Sequence, residues 1–344
     1  FVFEALKREG ILAPRYSFVD LTVNGKKMGI MALEEHFSKE LLESQGRRDG
    51  VILKFDESLV WQAEPEILQG ERGFGGVYDN YKNAMIKPFR LKRIQRSEKL
   101  SAELKTATEL LRAFVDGSLK PSQVFDSDLM GRFIAIGDFW GAWHALRWHN
   151  LRFYYNSTTG YLEPIGFDAQ IAYNVKPDID PSSEIIISKI LGSEDSIRKV
   201  YRETLERLIK EAKNGVAARW ITPLTEKNLG ILDREFPFLD GIDLSIQTQW
   251  AEEKLSSLQR ANVVYPKIVQ AYLVNNEESS YLELQNLLPY NVVVSKIQSP
   301  HSSHENLFDA KLFPLKLSYT EKGRFPTIRR VYFQKNDIQE DNPV

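Results

Sequence analysis

A nearly all-apolar segment near the middle of the chain sets the strongest constraint on the fold. Residues 128–146 read DLMGRFIAIGDFWGAWHAL, which predicts one long helix. A helix that is apolar on most of its faces is buried on most of them. The rest of the chain must therefore cover it. A length of 344 residues, with 42% hydrophobic and 27% charged residues, predicts a folded chain with a sizeable core.

Patterns on either side of this segment mix helices and hairpins, which predicts an α+β fold. Asn24-Gly25 between two apolar runs is typical of a β-hairpin. A helix is expected between a capping Ser97 and a terminating Gly117, and another over 246–273. From about residue 280 short apolar runs are separated by Ser, Asn, Gly and Pro, which predicts a small C-terminal β module.

Composition excludes several classes of function. The chain has no cysteine, so disulfides, thiolate metal sites and cysteine nucleophiles are excluded. With 45 basic and 47 acidic residues, it gives no electrostatic reason to expect nucleic acid as a partner. No apolar run approaches the roughly 20 residues that span a bilayer, so no transmembrane segment is expected in this chain. The chain opens at Phe1 inside an amphipathic segment, which suggests a fragment or a processed form.

The segment after the apolar helix predicts a small polar site. LRFYY and YLEPI flank a turn at residues 157–160, so paired positions of this hairpin should sum to about 317. Asn150 then lies beside residue 167 at the open end of the hairpin, next to Asp168. Backbone geometry thus brings together one amide oxygen and one carboxylate.

Two interpretations of this pair remain open. Mg²⁺ takes oxygen ligands and commonly one or two carboxylates, with phosphates and water completing its shell. Protein kinases hold their metal-nucleotide with a catalytic-loop Asn and a later Asp. The alternative is an ordinary hairpin with a turn-capping Asn150 and a helix-capping Asp168.

Three blocks of the sequence, spread in order over residues 10–175, resemble the CotH (spore coat protein H) kinase family. PRYSFVDLTVNGKKMGIMALEEHFSKELL is similar to a family segment in which a strand leads to NG, a glycine, a glutamate and a short helix. GVILK is similar to the strand that carries the nucleotide-contacting lysine of the family. WHNLRFYYNSTTGYLEPIGFDAQ resembles its asparagine–hairpin–aspartate block.

The resemblance implies an atypical kinase-like domain with two lobes. A truncated N-lobe is expected over residues 1–75, a mainly helical C-lobe over 76–275, and the β module over 276–344. In this arrangement Lys54 contacts phosphates and Glu35 orients that lysine.

The resemblance also implies a reaction. Asn150 and Asp168 bind Mg²⁺ or Mn²⁺, and phosphate passes from ATP to hydroxyl groups of a protein substrate. It suggests a bacterial cell-surface, spore-coat or secreted location, with a cytoplasmic one left open.

Two positions depart from the expected pattern. The catalytic aspartate of protein kinases lies five residues before the metal-binding Asn, and this chain has Ala145 there. Gln170 stands where family members commonly have an acidic residue. Three accounts follow: His144 is the base, positioning and metal suffice, or the domain is a nucleotide-binding scaffold without transfer. Transfer of AMP instead of phosphate is a further alternative.

Other signals are weaker. His144 and His149 near Asp168 could suggest zinc, but a third ligand with suitable spacing is missing, and histidines packed among tryptophans are the favoured interpretation. GERGFGG at 70–76 follows the Lys54 strand instead of preceding it, so we interpret it as a lid or substrate loop.

Overall fold

An antiparallel sheet formed by distant parts of the chain organises the site. The computed structural model describes residues 1–58, 81–82, 84–171, 185–261, 269–275, 280–286, 291–295, 314–318 and 328–333. Contacts divide the chain into one unit of residues 1–55 and 85–266 and a second of residues 56–84 and 267–344. The glycine-rich loop at 70–76 lies outside the described residues.

Both units contain strands, and the helices whose two ends lie within the described residues belong to the first. The helices are α1 (Val2–Arg8), α2 (Lys39–Ser44), α3 (Leu91–Ile94), α4 (Glu98–Asp116), α5 (Pro121–Val124), α6 (Ser127–Phe139), α7 (Ile185–Ser193), α8 (Asp195–Lys213), α9 (Ala218–Leu232) and α10 (Ser245–Ala261). The strands are β1 (Tyr16–Val23), β2 (Lys26–Glu34), β3 (Ile52–Phe55), β4 (Ile86–Pro88), β5 (Arg152–Asn156), β6 (Tyr161–Ile165), β7 (Val269–Asn275), β8 (Ser280–Asn286), β9 (Val292–Val294), β10 (Leu315–Leu317) and β11 (Ile328–Phe333). These elements confirm the predicted α+β class.

The sheet of the first unit has the strand order β4-β3-β5-β6. β5 and β6 form the predicted hairpin, and the pair Arg152↔Ile165 has the predicted sum of 317. β3 pairs with β5 in the register Leu53↔Phe153. The core residues Leu53 and Phe153 are fully buried, so burial of one face fixes the register of these strands.

Helix α6 is the buried helix that the apolar segment predicts, but it is shorter. It begins after Asp126, whose carboxylate accepts hydrogen bonds from two backbone amides of the first turn, and it ends at Phe139. Gly141 has a φ of 62°, a left-handed conformation that commonly terminates a helix. The expected continuation to residue 146 is therefore wrong: residues 143–146 and 148–150 form two short 3₁₀ turns.

Helix α8 packs closely on α6 at Gly131. A Cβ added to Gly131 would lie 2.8 Å from the carbonyl oxygen of Ile197. Glycine is required there because any larger residue would push the two helices apart. This packing keeps α6 in the core immediately before the segment that carries the site.

β1 and β2 form the predicted hairpin at Asn24-Gly25. The two turn residues have φ values of 50° and 78°, as a type I′ turn requires. Helix α4 also begins after Ser97 and ends just before Gly117, as predicted.

The second unit contains small sheets, which confirms a C-terminal β module. Its sheets have the orders β11-β8-β7 and β10-β9. The helix predicted over 246–273 is wrong in its last part, because α10 ends at Ala261 and residues 269–275 form β7. VQAYLVN is rich in β-branched and aromatic residues, and it forms a strand instead of a helix because it pairs with β8. The lobe boundaries at 75 and 275 stay a prediction.

Within the described ranges, no helix has both the length and the apolar character that a bilayer crossing requires.

The buried hydroxyl of Tyr154 predicts a loss of stability in alkali. Burial, followed by the charges of Glu163 and Glu103, raises the pKa of Tyr154 to about 12. The unfolded chain would lose this proton near pH 10. Between these values the unfolded state binds fewer protons than the folded state, so the free energy of unfolding falls as pH rises, by about 1–2 kcal/mol in total after allowance for solvent screening.

Tyr154→Phe is expected to reduce this alkaline loss in denaturant unfolding measured from pH 9 to 12. Tyr161→Phe, at an exposed position of the same hairpin, is the matched control. Equal alkaline loss in wild type and Tyr154→Phe would contradict the assignment.

Candidate functional site

Asn150 and Asp168 meet at the open end of the β5–β6 hairpin, as the register predicts. Asn150 ends the second 3₁₀ turn, just before β5, and Asp168 lies three residues after β6. The Nδ2 atom of Asn150 donates to Oδ2 of Asp168 over 3.3 Å. The hairpin therefore brings an amide and a carboxylate together from positions 18 residues apart.

Asp168 has a strained backbone. Its φ is 49°, in the left-handed region, which residues other than glycine adopt uncommonly. Its carbonyl oxygen accepts a hydrogen bond from the backbone amide of Gln170 over 3.0 Å. Strained conformations of this kind persist where the surroundings hold them and are concentrated at functional sites.

His144 also contacts Asp168. Its Nδ1 atom lies 2.9 Å from Oδ2 of Asp168 and 3.2 Å from Nδ2 of Asn150. The shorter contact, to a negatively charged acceptor, favours a proton on Nδ1. The Nε2 atom of the neutral ring then carries the lone pair and is available as a base.

The amide of Asn150 has a defined orientation. Its nitrogen also donates to the carbonyl oxygen of His144 over 2.9 Å, and the residue is 3% exposed. Within the described residues, no donor reaches Oδ1 of Asn150 or Oδ1 of Asp168. One oxygen of each side chain thus stays available for a ligand.

These two oxygens fit a hard divalent cation that keeps other ligands. The Asp168 and His144 side chains are 42% and 38% exposed, so solvent and substrate can reach them. The part of the chain that the structure describes contains no group of three or more His, Cys, Asp or Glu that could hold a metal. Asn150 and Asp168 would supply two oxygens, and water and phosphates would complete the shell, as Mg²⁺ commonly requires.

Lys54 lies in a row of cations across the sheet. It is paired with Lys87 on β4 and with Arg152 on β5. Directly paired residues share a face of the sheet, so three positive charges are neighbours there. The Nζ atom of Lys54 lies 5.9 Å from the centre of the Phe89 ring.

The structure places Glu35 against Arg15. A carboxylate oxygen of Glu35 accepts from the Arg15 guanidinium over 2.5 Å, and the other accepts from the Arg15 backbone amide over 3.1 Å. The described contacts thus do not bring Glu35 to Lys54, and its orienting role stays a prediction.

Sequence reasoning missed Glu34, a residue whose pKa is affected by the charge of Asp168. Most of the Glu34 residue is exposed. The partial burial of its carboxyl group raises its pKa, and the negative charge of Asp168 raises it further. The signal that could have found it is strand alternation: Glu34 pairs with Tyr16 across the β1–β2 hairpin, so its side chain lies on the opposite face from that of Leu33.

The two departures from the kinase pattern have different surroundings. Ala145 is 3% exposed, so the position of the usual catalytic aspartate faces the interior. Gln170 is exposed.

The two histidines near Asp168 differ in burial. His149 is buried beside Trp148, with ring centres 5.5 Å apart, whereas His144 is accessible.

Comparison with known families finds one match across the site. The profile of the CotH kinase protein family matches residues 1–212, more than half of the chain and all of the site residues described above. Comparison with curated proteins gives no match.

Proposed function

Because this chain belongs to the CotH kinase family, we propose that it is a phosphotransferase that uses ATP to phosphorylate hydroxyl groups of a protein substrate. The observation that carries the proposal is the constellation of Asn150, Asp168 and His144. Phosphoryl transfer requires a positioned metal-nucleotide and a group that orients the attacking hydroxyl. The three side chains lie within contacts of 2.9–3.3 Å of one another, an arrangement that suits both tasks.

In the proposed complex each residue has a defined task, and Asp168 has two. Oδ1 of Asn150 and Oδ1 of Asp168 would hold Mg²⁺ or Mn²⁺, which when bound would neutralise charge on the phosphates. Lys54 contacts the phosphates from β3. Nε2 of His144 accepts the proton of the substrate hydroxyl as its oxygen bonds to the γ-phosphorus and ADP leaves, while Asp168 orients the ring and stabilises the imidazolium.

Labelled ATP distinguishes the possible reactions. Transfer of label from the γ-phosphate to a protein identifies a kinase. Transfer of label from the α-phosphate identifies AMP transfer, and binding of Mn²⁺–ATP without either transfer identifies a scaffold. Failure of the wild-type chain to bind Mn²⁺–ATP at all would contradict the proposal.

One observation favours a second candidate, a nucleotide-binding scaffold of a cell-surface or coat assembly. Ala145 occupies the position of the usual catalytic aspartate and is buried. If His144 does not act as the base, this chain contains no replacement on that turn. The scaffold would bind Mn²⁺–ATP through the same two oxygens and transfer nothing.

Ala145→Asp is expected to destabilise the fold without increasing turnover. A carboxylate introduced at a position that is 3% exposed must be buried, which costs several kcal/mol when it is unpaired. Thermal unfolding and transfer of γ-labelled phosphate check the two parts. A stable Ala145→Asp variant with higher turnover would show that the alanine, and not His144, limits the reaction.

A further inference from the structure

Arg152 is a buried cation next to the site. It is the first residue of β5, two positions after Asn150, and it is 3% exposed. Burying a guanidinium costs free energy unless its donors and its flat faces are well satisfied. Its contacts therefore indicate what the residue holds in place.

The guanidinium donates hydrogen bonds to the backbone on both sides of Asn150. Its Nη1 atom donates to the carbonyl oxygen of His149 over 2.6 Å and to that of Leu151 over 3.2 Å. These carbonyls belong to the residues that flank Asn150. The peptide planes that orient the Asn150 side chain are thus fixed by hydrogen bonds from a charged donor, which are stronger than neutral ones.

The same guanidinium also packs on the neighbour of Asp168. Its Cζ atom lies 4.3 Å from the centre of the Phe167 ring. Phe167 in turn packs edge-on against Phe37, with ring centres 5.5 Å apart. Because Phe167 directly precedes Asp168, this stack restricts the chain where Asp168 adopts its left-handed conformation.

Arg152 also belongs to the row of cations across the sheet. It lies directly opposite Lys54 on β3, and both cations approach Phe89 to 5.9 Å from its ring centre. Its directed hydrogen bonds to the two carbonyl oxygens beside Asn150 favour a positioning role over simple filling of space.

We propose that Arg152 is a positioning residue that sets the distance and orientation between Asn150 and Asp168. It acts through His149, Leu151 and Phe167 and touches neither the metal nor the substrate. The consequence for nucleotide binding rests on the proposed function, whereas the consequence for the geometry of the site does not. Lysine cannot replace it, because an ammonium group lacks the planar face and the fork of donors.

Two variants test this inference, Arg152→Met and Arg152→Lys. The second keeps the charge and loses the fork, and it provides a folded variant if the first does not fold. Arg198→Met is the matched control, because the Arg198 guanidinium on α8 also donates to a backbone carbonyl, that of Leu191, over 2.8 Å. All variants are compared in the full chain, with thermal unfolding as the measure of folding.

The first readout is the ¹⁵N NMR signature of the His144 ring, assigned with His144→Gln. In the wild type we expect the Nδ1–H form that the contact with Asp168 favours. In both Arg152 variants we expect the ordinary mixture of neutral forms, because the contact loosens. A wild-type signature in both Arg152 variants would overturn the inference, whether or not the protein binds nucleotide.

The second readout is calorimetric titration with Mn²⁺–ATP. Groups that orient metal ligands commonly change affinity by about 10–100-fold, and we expect that loss in both Arg152 variants but not in Arg198→Met. Wild-type affinity in folded Arg152 variants would also overturn the inference. No binding by the wild type would contradict the proposed function alone, and the ring signature would still decide the role of Arg152.

Discussion

Replacing Asp168 by alanine is expected to abolish metal-dependent binding of ATP. Asp168 is the carboxylate of the pair that forms the proposed metal site, and its Oδ2 atom also holds His144 and Asn150 over 2.9 and 3.3 Å. Its removal takes away a charged ligand and the group that orients the other two side chains. We expect the affinity for Mn²⁺–ATP to fall by more than about a hundredfold, as measured by calorimetric titration.

Asp168→Asn separates the carboxylate from the backbone. Alanine at a φ of 49° introduces strain of its own, whereas asparagine tolerates the left-handed region. Asp168→Asn keeps the size and the backbone preference of aspartate and removes the charge, so it should lose binding almost as completely. The control is Asp195→Ala, because the Asp195 side chain on α8 is 90% exposed. Wild-type affinity in Asp168→Asn would contradict the proposed metal site.

Replacing His144 by glutamine is expected to slow phosphate transfer and to leave ATP binding nearly unchanged. The ring contacts Asp168 through Nδ1 and leaves Nε2 for the substrate hydroxyl. A positioned general base commonly contributes about 10²–10⁴-fold to a rate, and we expect a loss of that size in the rate of the transfer step. Single-turnover transfer of γ-labelled phosphate measures it, with Mn²⁺–ATP affinity measured on the same variant.

His36→Gln is the matched control for this substitution. His36 is exposed and its ring lies 6.1 Å from that of Phe89, away from the Asp168 carboxylate contacts. Equal rates in wild type and His144→Gln would show that positioning and metal suffice for transfer. A loss of ATP affinity equal to the loss in rate would instead make His144 part of the binding site.

Local patterns predict the contact between Asn150 and Asp168 because both residues flank one hairpin. The turn at residues 157–160 fixes the register, and the register places Asn150 beside Asp168. The same patterns overestimate α6, since the apolar run continues past Gly141 while the helix ends at Phe139. Hydropathy indicates burial but not the type of helix, and both α6 and the 3₁₀ turns after it are buried.

Contacts between distant segments could not be predicted in the same way. Lys54 meets Arg152 because β3 pairs with β5, across almost a hundred residues of chain, and no local pattern encodes that register. The pairing of Glu35 with Arg15 likewise depends on how the β1–β2 hairpin ends. The site's neighbours Glu34 and Arg152 therefore emerge from the structure, although the central pair is visible in the sequence.

The most direct test of the account is to locate the metal. Crystals of the chain grown with Mn²⁺ and ADP would be measured at a wavelength where manganese scatters anomalously. The account predicts a peak at coordination distance from Oδ1 of Asn150 and Oδ1 of Asp168, with the phosphates of ADP completing the shell. A peak bound elsewhere, with both oxygens free of metal in a nucleotide-bound chain, would contradict it.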